Sequence, residues 1–126
     1  KYFTNSNILL FRLSDCILPR AEALAKLGRY GNARMLLNTT RERAGIGKFM
    51  GSDSDLIKEI FEERARELVG EGHSAYDRIR NDYWDGSDYM TDDRKSKKGY
   101  YWPVYLRNLI SSNPDLYQVP FWIGKL

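Results

Sequence analysis

The middle of this sequence holds its densest group of ionisable side chains, together with its single histidine. Glu67, Glu71 and His73 could be drawn as ligands of a metal ion. Transition-metal sites, however, are usually built from several histidine or cysteine side chains. Arginines such as Arg64 and Arg66 stand beside these acids and are better partners for them. We therefore predict no metal site here, and nothing else in the sequence predicts a cofactor.

Pairs of acids could also indicate hydrolysis of a glycosidic bond, which uses two facing carboxylates. The adjacent pairs are Glu62 with Glu63 and Asp92 with Asp93. Neighbouring side chains on a helix point about 100° apart, so the members of each pair do not face each other across a bond. His73 has no serine or thiol at a recognisable spacing that it could activate. The sequence therefore predicts no catalytic residue and a protein that is not an enzyme.

A polar and aromatic stretch offers the chemistry of a binding site. Tyr83, Trp84 and Tyr89 lie there among the acids Asp85 and Asp88 and a glycine, Gly86. Aromatic faces can pack against sugar rings while carboxylates accept hydrogen bonds from sugar hydroxyls. We predict that the three aromatic residues bind a ligand. The alternative is that their rings anchor a loop to the body of the protein, as large aromatic side chains commonly do.

An arginine interrupts the apolar face of the helix that precedes these aromatics. Ile57, Ile60, Phe61 and Leu68 form one stripe at helical spacing, and Arg64 falls within that stripe. Because a guanidinium keeps its proton, an arginine among core side chains needs a carboxylate partner. The pattern therefore predicts that Arg64 is buried and paired.

Three acids are candidate partners of this arginine: Glu22, Asp77 and Glu71. The surrounding charges are interpreted as ion pairs that fix how helices pack, rather than as reactive groups. The residues predicted to form these structural ion pairs are Arg64, Glu63, Glu67, Glu71 and Asp77.

Apolar periodicity predicts an all-α fold of two helical hairpins followed by an ordered tail. The four helices are expected over residues 11–27, 31–44, about 53–70 and 73–82. Residues 82–99 are expected to form a long loop, and the aromatic and proline-rich residues 100–126 an irregular tail. In the first helix we expect two apolar faces, one marked by Leu13 and Ala21 and the other by Leu18 and Ala25. We expect Asp15 on the remaining polar strip and a kink at Pro19. In the second we expect Met35 on the inner side.

Residues 21–33, AEALAKLGRYGNA, fit the tetratricopeptide pattern, in which small residues let two antiparallel helices approach closely. One such repeat cannot bury its own apolar face, so the third and fourth helices are expected to supply a second pair. A generic tetratricopeptide-type interaction module is therefore one hypothesis for function. It would require further repeats of about 34 residues.

Several motifs together resemble the SusD/RagB family. Residues 12–23, RLSDCILPRAEA, are similar to its RLAEvYLlrAEA helix, and residues 40–45, TRERAG, to its vReRAG helix end. Residues 63–73, ERARELVGEGH, resemble its ERrrELagEGhr signature, which is followed by YDRIR at 76–80 where the family has fDLrR. WPV at 102–104 and NPDLYQVP at 113–120 resemble its lWPIP and NPnLtQNpgY segments. The resemblance spans nearly the whole chain.

The resemblance implies a substrate-binding subunit of an outer-membrane nutrient-uptake system, and not an enzyme. Family members are surface-exposed lipoproteins of the outer membrane that bind an oligosaccharide or polysaccharide, or in some branches a peptide. They act with a SusC-like TonB-dependent transporter, and their core is built from tetratricopeptide-like helix pairs. The residues here correspond to the C-terminal portion of the family. We expect residues 1–126 to form a single domain of a longer chain.

Bulk composition agrees with a globular protein and disfavours nucleic acid as a partner. The net charge is +3, and most arginines stand beside acids. The basic cluster at residues 94–98 is expected to be a solvated loop. Cys16 is the only cysteine, so the chain cannot form an internal disulfide.

Overall fold

A computed structural model describes residues 11–84, 88–105 and 107–125, with the backbone alone described at residues 107 and 108. The all-α prediction is confirmed, since these residues contain helices and no strand. The elements are α1 (Leu13–Lys26), α2 (Tyr30–Arg43), α3 (Leu56–Glu67), α4 (Ser74–Asn81), α5 (Asp92–Ser96), α6 (Arg107–Ser112) and a final 3-10 turn (Pro120–Trp122).

The chain divides into two compact units, Lys1–Asp77 and Arg78–Leu126. The expectation that residues 1–126 form one domain stays a prediction. In the first unit, helices α1, α2 and α3 pack against one another around an apolar core. That core consists of Leu18, Ala21, Ala25, Ala33, Leu37, Leu56 and Ile60.

Small side chains bring α1 and α2 together, as the tetratricopeptide pattern predicts. Ala21, Ala25 and Ala33 are buried at the contact between the two helices. The turn between them begins at Gly28, whose φ of 74° is a left-handed conformation that favours glycine. The amide of Gly28 donates to the carbonyl of Ala25, and the amide of Arg29 donates to that of Leu24. This is a Schellman motif, which satisfies the last carbonyls of α1.

Several details of the first unit differ from the sequence-based expectations. Leu13 is 73% exposed and Met35 is 61% exposed, so neither lies on an inner face. The buried face of α1 follows Leu18, Ala21 and Ala25, which are about one helical turn apart and were expected on apolar faces. Helix α1 continues without a break through Pro19. The third helix begins later than expected, at Leu56, and it ends at Glu67.

The second unit contains a helix where a loop was expected. Thr91 caps α5 by accepting a hydrogen bond from the amide of Arg94. The helix also ends in a Schellman motif, but its residue in the left-handed conformation is Lys98, with φ 56°, and not a glycine. The amide of Lys98 donates to the carbonyl of Lys95, and the amide of Gly99 donates to that of Arg94. Five helical residues are too few to show a 3.6-residue period in the sequence.

Candidate functional site

Arg64 is buried in the first unit, where its side chain is 3% exposed. Its Nε donates to Oδ2 of Asp77 at 2.9 Å, and its Nη2 donates to Oδ1 of Asp15 at 3.2 Å. The other two candidate partners bind elsewhere, since Glu22 pairs with Lys26 and Glu71 pairs with Arg12. A buried guanidinium held by two carboxylates orients the helices that carry them.

Sequence reasoning missed Asp15 as a partner because it placed this residue on the polar strip of α1. The true inner face includes Leu18 and Glu22, which follow Asp15 by three and seven residues. Setting the helix phase on these residues instead of on Leu13 would have directed Asp15 towards α3.

A second cluster gathers around the carboxylate of Glu67. Ser14 Oγ donates to Glu67 Oε1 at 2.7 Å, and Arg12 and Arg43 both pair with the same carboxylate. Burial alone would raise the pKa of Glu67, but the hydrogen bond from Ser14 and the two arginines outweigh it. The pKa of Glu67 therefore lies below its ordinary value. Arg12 also binds Glu71 through Nε at 2.9 Å, which links the start of α1 to the segment after α3.

The third cluster surrounds Glu63, whose side chain is 2% exposed. Arg41 Nη1 lies 3.1 Å from Glu63 Oε2, and Arg66 Nη2 lies 2.9 Å from the same oxygen. Both arginines also reach Glu59. This cluster therefore ties α2 to α3.

The geometry of these three clusters is structural rather than reactive. Each of Glu63, Glu67, Glu71 and Asp77 is already bound to an arginine. The Nδ1 atom of His73 lies 3.9 Å from Oδ1 of Asp15. Within the described ranges no group of three or more histidine, cysteine, aspartate or glutamate side chains is arranged to hold a metal ion. None of the helices described there is both long enough and apolar enough to cross a membrane.

The three aromatic residues predicted to bind a ligand lie in the second unit, and their surroundings there differ from one another. Their binding of a ligand stays a prediction. Trp84 stacks on Tyr100, with ring centroids 5.2 Å apart, and its Nε1 donates to Oδ1 of Asp82 at 3.0 Å. Tyr83 is half-buried. Tyr89 is 66% exposed and lies under the guanidinium of Arg94. The structure thus joins Trp84 to Tyr100, not to Tyr89. Asp85 and Gly86 lie outside the described residues.

Arg94 organises the second unit, a role that sequence reasoning missed. Its guanidinium lies 5.3 Å from the ring centroid of Phe121 and 5.4 Å from that of Trp122. Its Nε donates to the carbonyl of Gly99 at 3.1 Å. The basic cluster at residues 94–98 is therefore not simply a solvated loop. Arg94, the first residue of the cluster, anchors the aromatic end of the chain by cation–π contacts.

A cavity of about 360 Å³ opens beside this anchor. Its walls come from the end of α5, from Tyr101 and from the segment before the last turn. Gln118 holds this segment, because its Nε2 donates to the carbonyl of Val104 at 2.9 Å and its Oε1 accepts from the amide of Val104 at 3.0 Å. We call this space the tyrosine cavity, and it is lined by Ser96, Lys97, Lys98, Tyr101, Tyr117, Val119 and Pro120.

The tyrosine cavity extends a chain of aromatic contacts. Trp84 stacks on Tyr100, and Tyr100 contacts Tyr101 with centroids 4.8 Å apart. Tyr101 is 47% exposed and Tyr117 is 81% exposed, so both rings remain available to a ligand. One predicted residue, Trp84, is therefore connected to the cavity, while the tyrosines that line it were not predicted.

Comparison with known proteins agrees with this architecture. The model of the SusD family matches residues 1–122. The chain belongs to the SusD family. SusD-like protein P38 of Formosa agariphila is 33% identical to it over 93% of the chain and 25% of that relative. The starch-binding protein SusD of Bacteroides thetaiotaomicron is 31% identical over 71% of the chain and 16% of that relative.

Solved structures of the SusD family share the fold. A SusD homologue from Bacteroides thetaiotaomicron superposes with a TM-score of 0.74 and 37% identity, over 90% of this chain and 25% of the homologue. A second SusD superfamily protein from the same organism superposes with a TM-score of 0.71 and 38% identity, over 91% of this chain and 26% of that protein. The chain thus spans about a quarter of the length of these solved relatives.

Proposed function

We propose that this SusD-family chain is part of a non-catalytic, glycan-binding subunit of an outer-membrane nutrient-uptake system. The single observation that carries the proposal is the family match over residues 1–122. One relative, the SusD of Bacteroides thetaiotaomicron, is named for starch binding. The same match favours this function over a generic tetratricopeptide-type interaction module.

The arrangement of side chains supports binding without catalysis. Exposed rings at Tyr101 and Tyr117 line a cavity, and flat aromatic faces are suited to the apolar faces of sugars. The buried carboxylates of Glu63 and Asp77 are held by arginines. A carboxylate engaged in this way is not free to act as an acid or a nucleophile in glycoside hydrolysis.

The family resemblance extends the proposal to location and partners. The protein would be a surface-exposed lipoprotein of the outer membrane and would act with a SusC-like TonB-dependent transporter. The transporter would carry the glycan inwards after this subunit has bound it. The partner can be tested by purifying the tagged protein from outer membranes and identifying the proteins that copurify. Copurification of a TonB-dependent transporter is expected, and its consistent absence would contradict the pairing.

Glycan binding is tested by affinity electrophoresis of the full natural protein that contains this sequence. Gels would contain starch, pullulan, galactan or xylan, with an unrelated protein of similar size as the mobility control. We expect slower migration in at least one polysaccharide and no release of reducing ends from it. Further gels would contain the charged polysaccharides polygalacturonate and κ-carrageenan. Unchanged mobility in all of these gels would overturn the proposed function, and release of reducing ends would overturn the non-catalytic assignment.

A further inference from the structure

The side chains that line the tyrosine cavity include positively charged lysines as well as aromatic rings. Lys97 and Lys98 line it together with the two tyrosines, and the described residues that line it include no acidic side chain. Its volume of about 360 Å³ lies at the lower end of the range of roughly 300–1,000 Å³ for small-molecule sites. The cavity therefore combines aromatic faces with positive charge in a space suited to a small ligand group.

The positive charge is only partly neutralised by neighbouring acids. Lys97 Nζ pairs with Asp93 Oδ1 at 2.6 Å, and Lys95 pairs with Asp82 at 3.4 Å. The hydrogen bond from Lys97 lowers the pKa of Asp93 below its ordinary value, so this partner stays ionised. The ion pairs found among the described residues leave Lys98 out. Of the two lysines that line the cavity, Lys97 is thus paired with an acid, and Lys98 has no ion pair among the described residues.

The backbone gives a second reason to single out Lys98. Helices α1 and α2 end in Schellman motifs whose left-handed residues are Gly28, with φ 74°, and Gly45, with φ 75°. Helix α5 ends in the same motif, but the residue there is Lys98. Glycine would adopt this conformation more easily than lysine. The fold of α5 therefore does not require the lysine side chain that stands at the cavity.

We propose that the tyrosine cavity is a subsite for a negatively charged sugar residue, carrying either a carboxylate or a sulfate ester. This inference rests on the proposed glycan-binding function and narrows its substrate class. Tyr117 and Tyr101 pack against the sugar ring, while the ammonium groups of Lys98 and Lys97 bind the anionic substituent. A neutral sugar would gain the ring contacts alone.

The test compares the full natural protein with its Lys98→Gly variant on charged and uncharged polysaccharides. Polygalacturonate supplies carboxylates, κ-carrageenan supplies sulfate esters, and pullulan and galactan are neutral. Because glycine suits a φ of 56°, the variant is expected to keep or slightly raise its melting temperature. Lys98→Asn is a second variant, since asparagine also tolerates this conformation. Lys48→Gln removes one positive charge from a residue that is not among those lining the cavity, and it serves as the charge control.

We expect both Lys98 variants to bind polygalacturonate or κ-carrageenan about fivefold more weakly, with unchanged binding to any neutral polysaccharide. Lys48→Gln should bind like the natural protein. A preference for one anionic polymer would identify the substituent as carboxylate or sulfate. If Lys98→Gly binds anionic polymers as tightly as the natural protein, the subsite is wrong while glycan binding stands. An equal loss in Lys48→Gln would show diffuse charge attraction and would also overturn the subsite. Failure to bind any polysaccharide would overturn the proposed function as well.

Discussion

Asp77 accepts a hydrogen bond from Arg64 at 2.9 Å, and the two side chains are 4% and 3% exposed. Their positions are 13 residues apart, with the Gly70 and Gly72 turns between them. The pair therefore joins α3 to the start of α4 inside the first unit. Burying two charges is favourable only when each keeps its partner.

Removing Arg64 should therefore destabilise the first unit. Arg64→Ala removes the guanidinium that Asp77 and Asp15 bind and is expected to lower the free energy of unfolding by about 3–5 kcal/mol. Urea unfolding followed by far-UV circular dichroism measures this loss. Arg20→Ala, at an exposed position of α1, is the control and should change stability by less than about 0.5 kcal/mol. Equal stability of the two variants would show that the buried pair does not hold the helices.

Stability should also depend on pH through Glu67. Burial would raise the pKa of this carboxyl, but Ser14, Arg12 and Arg43 outweigh burial and the folded pKa is lowered. A lowered folded pKa stabilises the protein above the unfolded value of about 4.3. That contribution is lost as the pH falls through the folded pKa.

Glu67→Gln isolates this contribution. At pH 7 the variant should melt at a lower temperature than the natural protein, and the difference should shrink as the pH is lowered from about 5 to 3. Melting temperatures measured across this range give the comparison, with Glu62→Gln as a control at a more exposed acid. A difference that stays constant with pH would contradict the assigned role of Glu67.

Among the described glycines of the second unit, Gly99 has the least room for a side chain. A Cβ there would lie 2.5 Å from Cγ of Phe121 and 2.6 Å from Cγ of Arg94. Gly99→Ala should therefore push the aromatic end of the chain off Arg94, at a cost of about 1–3 kcal/mol. All three tryptophans, Trp84, Trp102 and Trp122, belong to the second unit, so tryptophan fluorescence reports its unfolding.

The matched control for this substitution is Gly31→Ala. Apart from its chain neighbours and the backbone of its own helix, α2, nothing lies within 4 Å of a Cβ at Gly31. Alanine is the better helix former, so this variant should be as stable as the natural protein or slightly more stable. If Gly99→Ala unfolds at the same urea concentration as Gly31→Ala, the packing around Arg94 is looser than described.

Two aromatic residues that sequence analysis grouped together should respond differently to substitution. Trp84 is stacked on Tyr100 and hydrogen-bonded to Asp82, so Trp84→Ala should lower the melting temperature. Tyr89 is 66% exposed, and Tyr89→Ala should leave it nearly unchanged. Differential scanning calorimetry distinguishes the two. Equal destabilisation would mean that Tyr89 is also an anchor.

The pair of α1 and α2 and the burial of Arg64 could be predicted because both depend on local periodicity. Leu18, Ala21 and Ala25 repeat at helical spacing, and Arg64 shares its stripe with Ile60. The choice of Asp15 as a partner could not be predicted, because it depends on a helix phase that the exposed apolar side chain of Leu13 obscured.

The second unit was harder to predict for a different physical reason. Arg94 is held by Phe121 and Trp122, far along the chain, and such contacts leave no period in the sequence. Tyr101 and Tyr117 likewise line one cavity although they are far apart in the sequence, and contacts such as that of Gln118 with Val104 hold the segments that carry them. The aromatic composition of the tail indicated packing, but not which rings remain exposed.

We propose that exposed tyrosines of the second unit bind glycan. The buried ion pairs of the first unit hold its helices together. The most direct measurement is the affinity of Tyr117→Ala for the polysaccharide that the full natural protein binds best, by isothermal titration calorimetry. Tyr117 is 81% exposed, so we predict an unchanged melting temperature and binding weaker by about 1 kcal/mol, or about fivefold. Undiminished affinity in a folded Tyr117→Ala variant would contradict the claim.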